Sequence, residues 1–513
     1  MDKEGEIAVK KIAGGAGIIF LGVLLSRFFG FVYRVLIARY LGPEDYGLIS
    51  LAIAILTTAI PIAVFGLPVG VARYVSYFKS KNNLKKIKGV LNFSFSVVTV
   101  TGIVTSIILY FLAGWLAISF FHEPRLAIIL KAFAFSIPLF TLKNIAHAAV
   151  RGFQQMKYRV YSETFISKTI LIVATFTVLI MGFGILAATI AYIVSIIAFF
   201  VASFYFLNKL FPFHGVIKPT YINKELISFS WPLVFSAVIW AFVGHLDTIM
   251  LGYFDTAANV GIYNAAFPTA VLISVILGSF GVVFMPASTE LFAKKKTGDL
   301  QKLFSIVTKW IYITVLPGFL LMLLFASPIL KLFFGQKYIL GAFPLSILAV
   351  GYFIASIVGP TAQMLQTLGK TKIILLNHSI VLIVDLILNF YLIPLYSIVG
   401  AAIATMIAIS TWNILSLIEI YHYAKIQPYN LNYLRPTLAS LLSIGLIFIL
   451  KNFVDHFSLI ILLGLLVLFL IVYSFLFLLF KSLEKEDIMI LLALEKKLGL
   501  DLKFFKKIIK RFL

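Results

Sequence analysis

The chain contains no cysteine, so disulfides, thiolate metal sites and cysteine nucleophiles are excluded. Charge is scarce too: only 12% of the 513 residues are Asp, Glu, Lys or Arg, against roughly 25% in a soluble domain. Acids are the scarcest, 20 against 43 lysines and arginines. No Asp-x-Asp pair occurs, which counts against a metal-dependent glycosyltransferase, and no loop is long enough to fold a catalytic domain. "LGKTK" (368–372) lacks the first glycine of a phosphate-binding loop, and "HEPRL" (122–126) is not a zinc-binding HExxH. A cleavable signal is missing from "MDKEGEIAVKKIAGGAG", so the first apolar segment is expected to serve as its own insertion signal.

What is present is hydrocarbon. Hydrophobic residues make up 61% of the chain, in recurring runs of about 20, the length that crosses a bilayer as a helix. The pattern predicts an all-α polytopic membrane protein with about fourteen transmembrane helices. Among them are span 1 (13–39), span 2 (46–77), span 4 (126–151), span 5 (160–182) and span 7 (225–253). Span 8 (259–290), span 11 (371–394) and span 12 (397–423) also matter below. Alternate loops sort by charge. One set carries Lys79, Lys81, Lys85, Lys86 and Lys88, then Arg151, Lys157 and Arg159, and later Lys294, Lys295 and Lys296. The opposite set ("GPEDYG", "HEPR", "MGFG", "DTAANVG") is short and poor in base. The positive-inside rule therefore places both termini in the cytoplasm, with the protein in the cell membrane. The net charge of +23 is read as an orientation signal against anionic headgroups, and nucleic acid is not expected as a partner.

The chain repeats itself weakly. "VGIYNAAF" (260–267) answers "YGLISLAI" (46–53), and "AAIAT" (401–405) answers "AATIA" (187–191), both at an offset of 214. Each half has six spans and starts on the same side, so the repeats are parallel, a feature of transporters with a substrate path between halves. The expected division is an N-lobe over 1–208, a cytoplasmic linker over 209–224 and a C-lobe over 225–424. Two extra spans follow over 425–481, then a basic amphipathic tail over 482–513, read as a helix on the inner leaflet.

Charges within the spans point to the chemistry. Arg27 and Arg34 are seven residues apart on one face of span 1, while Arg39 reaches the outer boundary and can snorkel. Lys143 on span 4, Lys168 on span 5 and Arg73 after the "FGLPVG" break of span 2 also lie within the membrane part. Acids at similar depth are few; Glu163 is placed to pair with Arg159 or Lys168. Unpaired cations in lipid are costly, so Arg27, Arg34, Lys143, Arg73 and Lys168 are expected to face water and an anionic headgroup. Arginine suits phosphate because its planar fork bonds two oxygens at once. The alternative is that Arg27 ties spans together through backbone carbonyls. In the second half Asp385 and Asn389 share a helix face, and with Asp247 and Thr405 they form an all-oxygen set. Spacing alone leaves two readings open: a site for a coupling ion (Na+ or H+), or a polar knot between helices. His245 and His378 are expected to pack rather than ligate, and no other cofactor is called for.

"SRFFGFVYRVLIARYLGPEDYGLISLA" (26–52), "FGLPVGVARYVS" (65–76), "LDTIMLGYFDTAANVGIYNAA" (246–266) and "NFYLIPLYSIVGAAIAT" (389–405) resemble the polysaccharide transporter family. That family belongs to the multidrug/oligosaccharidyl-lipid/polysaccharide flippase superfamily, and the resemblance covers nearly the whole chain. It implies two six-helix lobes plus two further helices, and flipping of a polyprenyl-(di)phosphate-linked glycan by alternating access. In related lipid II flippases, arginines on the first helix line the cavity, and "SRFFGFV" matches at Arg27. Arg34 falls one place beyond the next family arginine, where this chain has Tyr33, and a span 8 arginine is replaced by Ala266. Those departures favour a glycolipid other than lipid II. The family's sodium site is matched at Asp247 and Thr405, with acid and amide exchanged at Asp385 and Asn389. A functional monomer is expected, surrounded by membrane lipids and associating with glycan-synthesis enzymes. The rival readings are a multidrug/cation antiporter of the same superfamily and a membrane glycosyltransferase or ligase.

Overall fold

The computed structural model describes residues 3–211, 217–429, 433–454 and 458–482. The expected amphipathic tail lies outside them, except for Ser482. Every regular element among the described residues is helical. In chain order they are α1 (Lys3–Ala63), α2 (Leu67–Ser80), α3 (Leu84–Trp115), α4 (Leu126–Gly152) and α5 (Met156–Val160). A π-helical turn, Tyr161–Ile166, leads into α6 (Ser167–Ile180), followed by α7 (Gly184–Leu210) and α8 (Asn223–Phe254). Then come α9 (Ala257–Val271), α10 (Ser274–Ala293), α11 (Thr297–Leu324), α12 (Ala326–Phe333), α13 (Ala342–Ile357) and α14 (Thr361–Thr367). The last are α15 (Thr371–Ala424), α16 (Leu434–Lys451) and α17 (Leu459–Leu479).

Eleven of these segments are long and apolar enough to cross a membrane, or up to twelve if the pair α9 and Ser274–Val282, bent by 43°, is one span. Two helices hide a break. In α1, Gly42 adopts φ 80° and ψ 176°, and Pro43 starts the next stretch, the glycine–proline order that ends one helix and opens another. In α15 the break is Ser397, at φ 53° and ψ −133°. With 54 residues at about 1.5 Å each, α15 runs to roughly 80 Å, against a hydrocarbon core of about 30 Å. The expected fourteen crossings are reached only if that bent pair is one span and α1 and α15 each count twice.

Packing gathers the described residues of 1–265 and 378–404 into one compact unit, and those of 266–377 and 405–482 into a second. In the first, Leu67, Val71, Val75, Ile145, Ala149 and Leu226 form part of a core joining α2, α4 and α8. The "FGLPVG" break makes this possible. Phe65 (φ 52°) and Gly66 (φ 65°) reverse the end of α1, and Leu67–Pro68 opens α2. A Cβ on Gly66 would stand 2.3 Å from the Ser230 carbonyl oxygen, so only glycine lets these backbones meet.

The sequence repeat is visible as a contact in the same unit. A Cβ on Gly47 would lie 1.8 Å from the Ala257 carbonyl oxygen, and one on Gly261 would lie 1.9 Å from that of Pro43. Both glycine and carbonyl partners are 214 residues apart, so the two repeats cross reciprocally, as two copies do about a two-fold axis.

In the second unit, α16 and α17 dock on α11. Ile313, Leu321, Phe325, Ile447 and Phe469 share a core. Tyr473 Oη donates to the Ile313 carbonyl at 3.0 Å and Lys451 Nζ to that of Leu324 at 2.8 Å. The two helices outside the duplication are thus fixed by both apolar and polar contacts.

Candidate functional site: a basic cluster and a buried carboxylate pair

The first unit brings most of the expected cations together. Lys168 on α6 lies within electrostatic reach of Arg34 and Arg27 on α1, and Lys143 on α4 lies within reach of Lys168. Arg27 is exposed, and Arg34 and Lys168 are half-buried. Arg34 donates to the Tyr46 hydroxyl, which in turn donates to the Asn264 carbonyl oxygen at 2.9 Å. Lys143 is held differently. It is buried, with its ammonium 3.7 Å from the ring centre of Phe140 and 4.3 Å from that of Phe199. Two aromatic faces compensate part of the lost hydration.

Glu163 sits on the π-helical turn between α5 and α6, and the local packing explains its position. Thr164 Oγ1 donates to the Gly22 carbonyl of α1 at 3.2 Å, and a Cβ on Gly22 would come within 2.7 Å of Val160. Arg159 Nε reaches the Glu163 carboxylate at 3.4 Å, and His147 Nε2 stands 3.5 Å from the same oxygen. Arg73 is engaged elsewhere. It is exposed on α2, with its guanidinium 4.3 Å over the ring of Phe229 on α8. Of the histidines expected to pack, His378 lies against Trp240, ring centres 4.8 Å apart.

The carboxylate set is more compact than its spacing required. Asn389 Nδ2 donates to Asp247 Oδ1 at 2.8 Å and to Asp385 Oδ1 at 3.0 Å, bridging α8 and α15. Tyr263 Oη on α9 donates to Asp247 Oδ2 at 2.7 Å. Asp247, Asp385, Asn389 and Tyr263 are all buried. Asn389 Oδ1 is buried with no hydrogen-bond partner among the described residues. Two buried carboxylates repel, and an orphaned amide oxygen beside them completes an acceptor set fit for a small hard cation or a proton. Thr405 is buried in the second unit.

Several participants were missed in the sequence. Tyr263 lies within the repeated "VGIYNAAF" and could have been found from its place opposite "YGLISLAI". Asn264 also belongs there: its Nδ2 donates to Thr248 Oγ1 at 3.1 Å, next to Asp247 on α8. Arg34, Tyr46, Asn264 and Thr248 thereby form a polar chain from the basic cluster to the residue that follows Asp247 in sequence. The second half also holds a cation that the sequence reading left to the first half: Lys309 on α11, almost wholly buried. It lies in the apolar stretch "VTKWIY", where a lysine in an expected span was itself the signal that could have found it.

A long-helix membrane bundle with a duplicated chain and polar groups buried at membrane depth defines the class of a polytopic carrier. The chain belongs to the polysaccharide biosynthesis protein family, whose model matches residues 12–292, and the MatE model matches residues 232–395. It is 25% identical to the lipid II flippase MurJ of Bacillus subtilis, over 77% of this chain and 80% of that protein. It is 28% identical to the capsular polysaccharide biosynthesis protein CapF of Staphylococcus aureus, over 39% of this chain and 50% of that protein. A solved lipid II flippase MurJ in an inward closed conformation shares its fold, with a TM-score of 0.70 at 19% identity, covering 90% of this chain and 99% of that one.

Proposed function

We propose that this protein moves a polyprenyl-(di)phosphate-linked oligosaccharide from the cytoplasmic to the outer leaflet of the cell membrane, for assembly of a cell-surface glycan. The observation that carries this reading is the grouping of Arg27, Arg34, Lys143 and Lys168 on three helices at membrane depth. A phosphate-bearing headgroup supplies the negative charge such a cluster needs. No bond is made or broken, both termini face the cytoplasm, and the working unit is a monomer. Family membership supports the reading, as does the flippase activity named for MurJ. Multidrug antiport has the MatE match in its favour, but a cluster so rich in base repels cationic drugs.

Arg27 and Arg34 hold the phosphate oxygens; Lys168 adds charge from α6, and Lys143 steers from its aromatic cage. A diphosphate with two negative charges gains about 2.3 kcal/mol per charge in crossing 100 mV from a negative interior, so the potential favours export. Return of the emptied cationic cavity is then the opposed step. Na+ or H+ at Asp247, Asp385 and Asn389 stabilises one state and resets the carrier by binding the two states unequally. The polar chain through Tyr46 and Asn264 offers a route for that bias to reach Arg34.

The test is mass spectrometry of lipids that co-purify with the wild type and with Arg27→Ala. A prenyl-phosphate glycan should accompany the wild type and be lost from a stably folded Arg27→Ala protein. A lipid profile free of such species in both would overturn the reading.

A further inference from the structure

Within the first 208 residues, Glu163 is the one acid inside an expected span. Around it stand Arg159 at 3.4 Å and His147 at 3.5 Å, with Lys143, Arg151 and Lys168 within electrostatic reach. Five basic side chains thus share a single carboxylate.

Its contacts are loose. A structural pair between a guanidinium and a carboxylate closes to about 2.7–2.9 Å, usually with two parallel bonds. Here there is one weak bond from Arg159, and His147 Nε2 makes no hydrogen bond among the described residues. The Glu163 side chain retains 39% exposure, so water can take over its oxygens. Its backbone, by contrast, is firmly set. The π-helical turn carries the extra residue that re-aims this stretch, and Thr164 next to it is pinned to α1. A rigidly placed but weakly bonded carboxylate is what an exchangeable counter-ion requires.

Resting on the flippase reading, we propose that Glu163 is the resident counter-anion of the basic cluster, replaced by the phosphate of the cargo and restored when the cargo leaves. In the empty protein it offsets part of the positive charge on Arg159, Lys168 and their neighbours. An entering diphosphate, with more charge and more oxygens, competes for the same donors. On release Glu163 re-pairs with Arg159, so the cargo need not leave a bare set of cations behind. Glu163 is therefore a positioning residue that sets affinity and release together.

The experiment measures binding of farnesyl diphosphate to the purified full-length protein by native mass spectrometry and its transport in proteoliposomes. Glu163→Gln should bind about three- to tenfold more tightly, the range one removed charge gives at partly exposed range, and should turn over more slowly. Glu163→Asp, which keeps the charge, should stay near wild type on both counts. A merely structural residue would lose affinity when changed, not gain it. Unchanged or weaker binding by Glu163→Gln overturns the counter-ion proposal alone, provided wild type binds and Arg27→Gln does not. No binding by wild type or any variant overturns both this proposal and the flippase reading.

Discussion

Gly47→Ala asks how tightly the two repeats are locked. The new Cβ would lie 1.8 Å from the Ala257 carbonyl oxygen, where ordinary contact begins at 3.4 Å. That oxygen is backbone on α9, so no rotamer change relieves the overlap; α1 and α9 must separate by more than an ångström. Separation also stretches the bond from Tyr46 Oη to the Asn264 carbonyl, now 2.9 Å. Overpacking of this kind costs about 1–3 kcal/mol, and loss of one buried hydrogen bond about 0.5–1.5 kcal/mol. The expected total is therefore about 2–4 kcal/mol. Gly261→Ala should cost a similar amount, because its Cβ meets the Pro43 carbonyl at 1.9 Å. The double variant should cost clearly less than the sum, since one separation relieves both overlaps. Heat-challenge solubility of the detergent-extracted proteins measures all three. Additive losses, or an alanine at either position as heat-resistant as wild type, would refute the reciprocal crossing.

Asp385→Asn should slow turnover and remove any sodium or pH dependence while leaving headgroup binding at Arg27 intact; transport under imposed gradients checks it. Tyr46→Phe removes the hydroxyl between Arg34 and Asn264, and is expected to keep the fold but weaken the response of transport to the coupling ion. Lys143→Met should match or exceed wild type in thermal stability, because a buried charge gives way to an apolar side chain of similar length, yet transport should fall. Ser397→Ala loses the hydrogen bond to Asp255 and keeps the left-handed backbone, so it should cost about 1–2 kcal/mol in a heat challenge.

The membrane class, the helical fold and the duplication follow from sequence alone, because they rest on local properties. About 20 apolar residues in a row have no other stable state in lipid than a helix, since each backbone group must bond within its own segment. The 214-residue echo survives for the same reason: "YGLISLAI" and "VGIYNAAF" carry glycines that only a close helix crossing demands. The polar residues of both candidate sites were also legible, since a charge at membrane depth stands out against its neighbours. Apart from Glu163, expected to pair with Arg159 or Lys168 and found against Arg159, what they bond to was not. Lys143 reads as a cavity cation, but its helix packs so that Phe140 and Phe199 enclose it. Arg73 reads as one more cation of the set, but the break at Phe65 and Gly66 turns α2 so that it lies over Phe229. Tyr263 passes for an ordinary aromatic until α9 sets its hydroxyl against Asp247. Side-chain partners across helices depend on rotation and crossing angle, and those are decided by the sum of many contacts far apart in the chain.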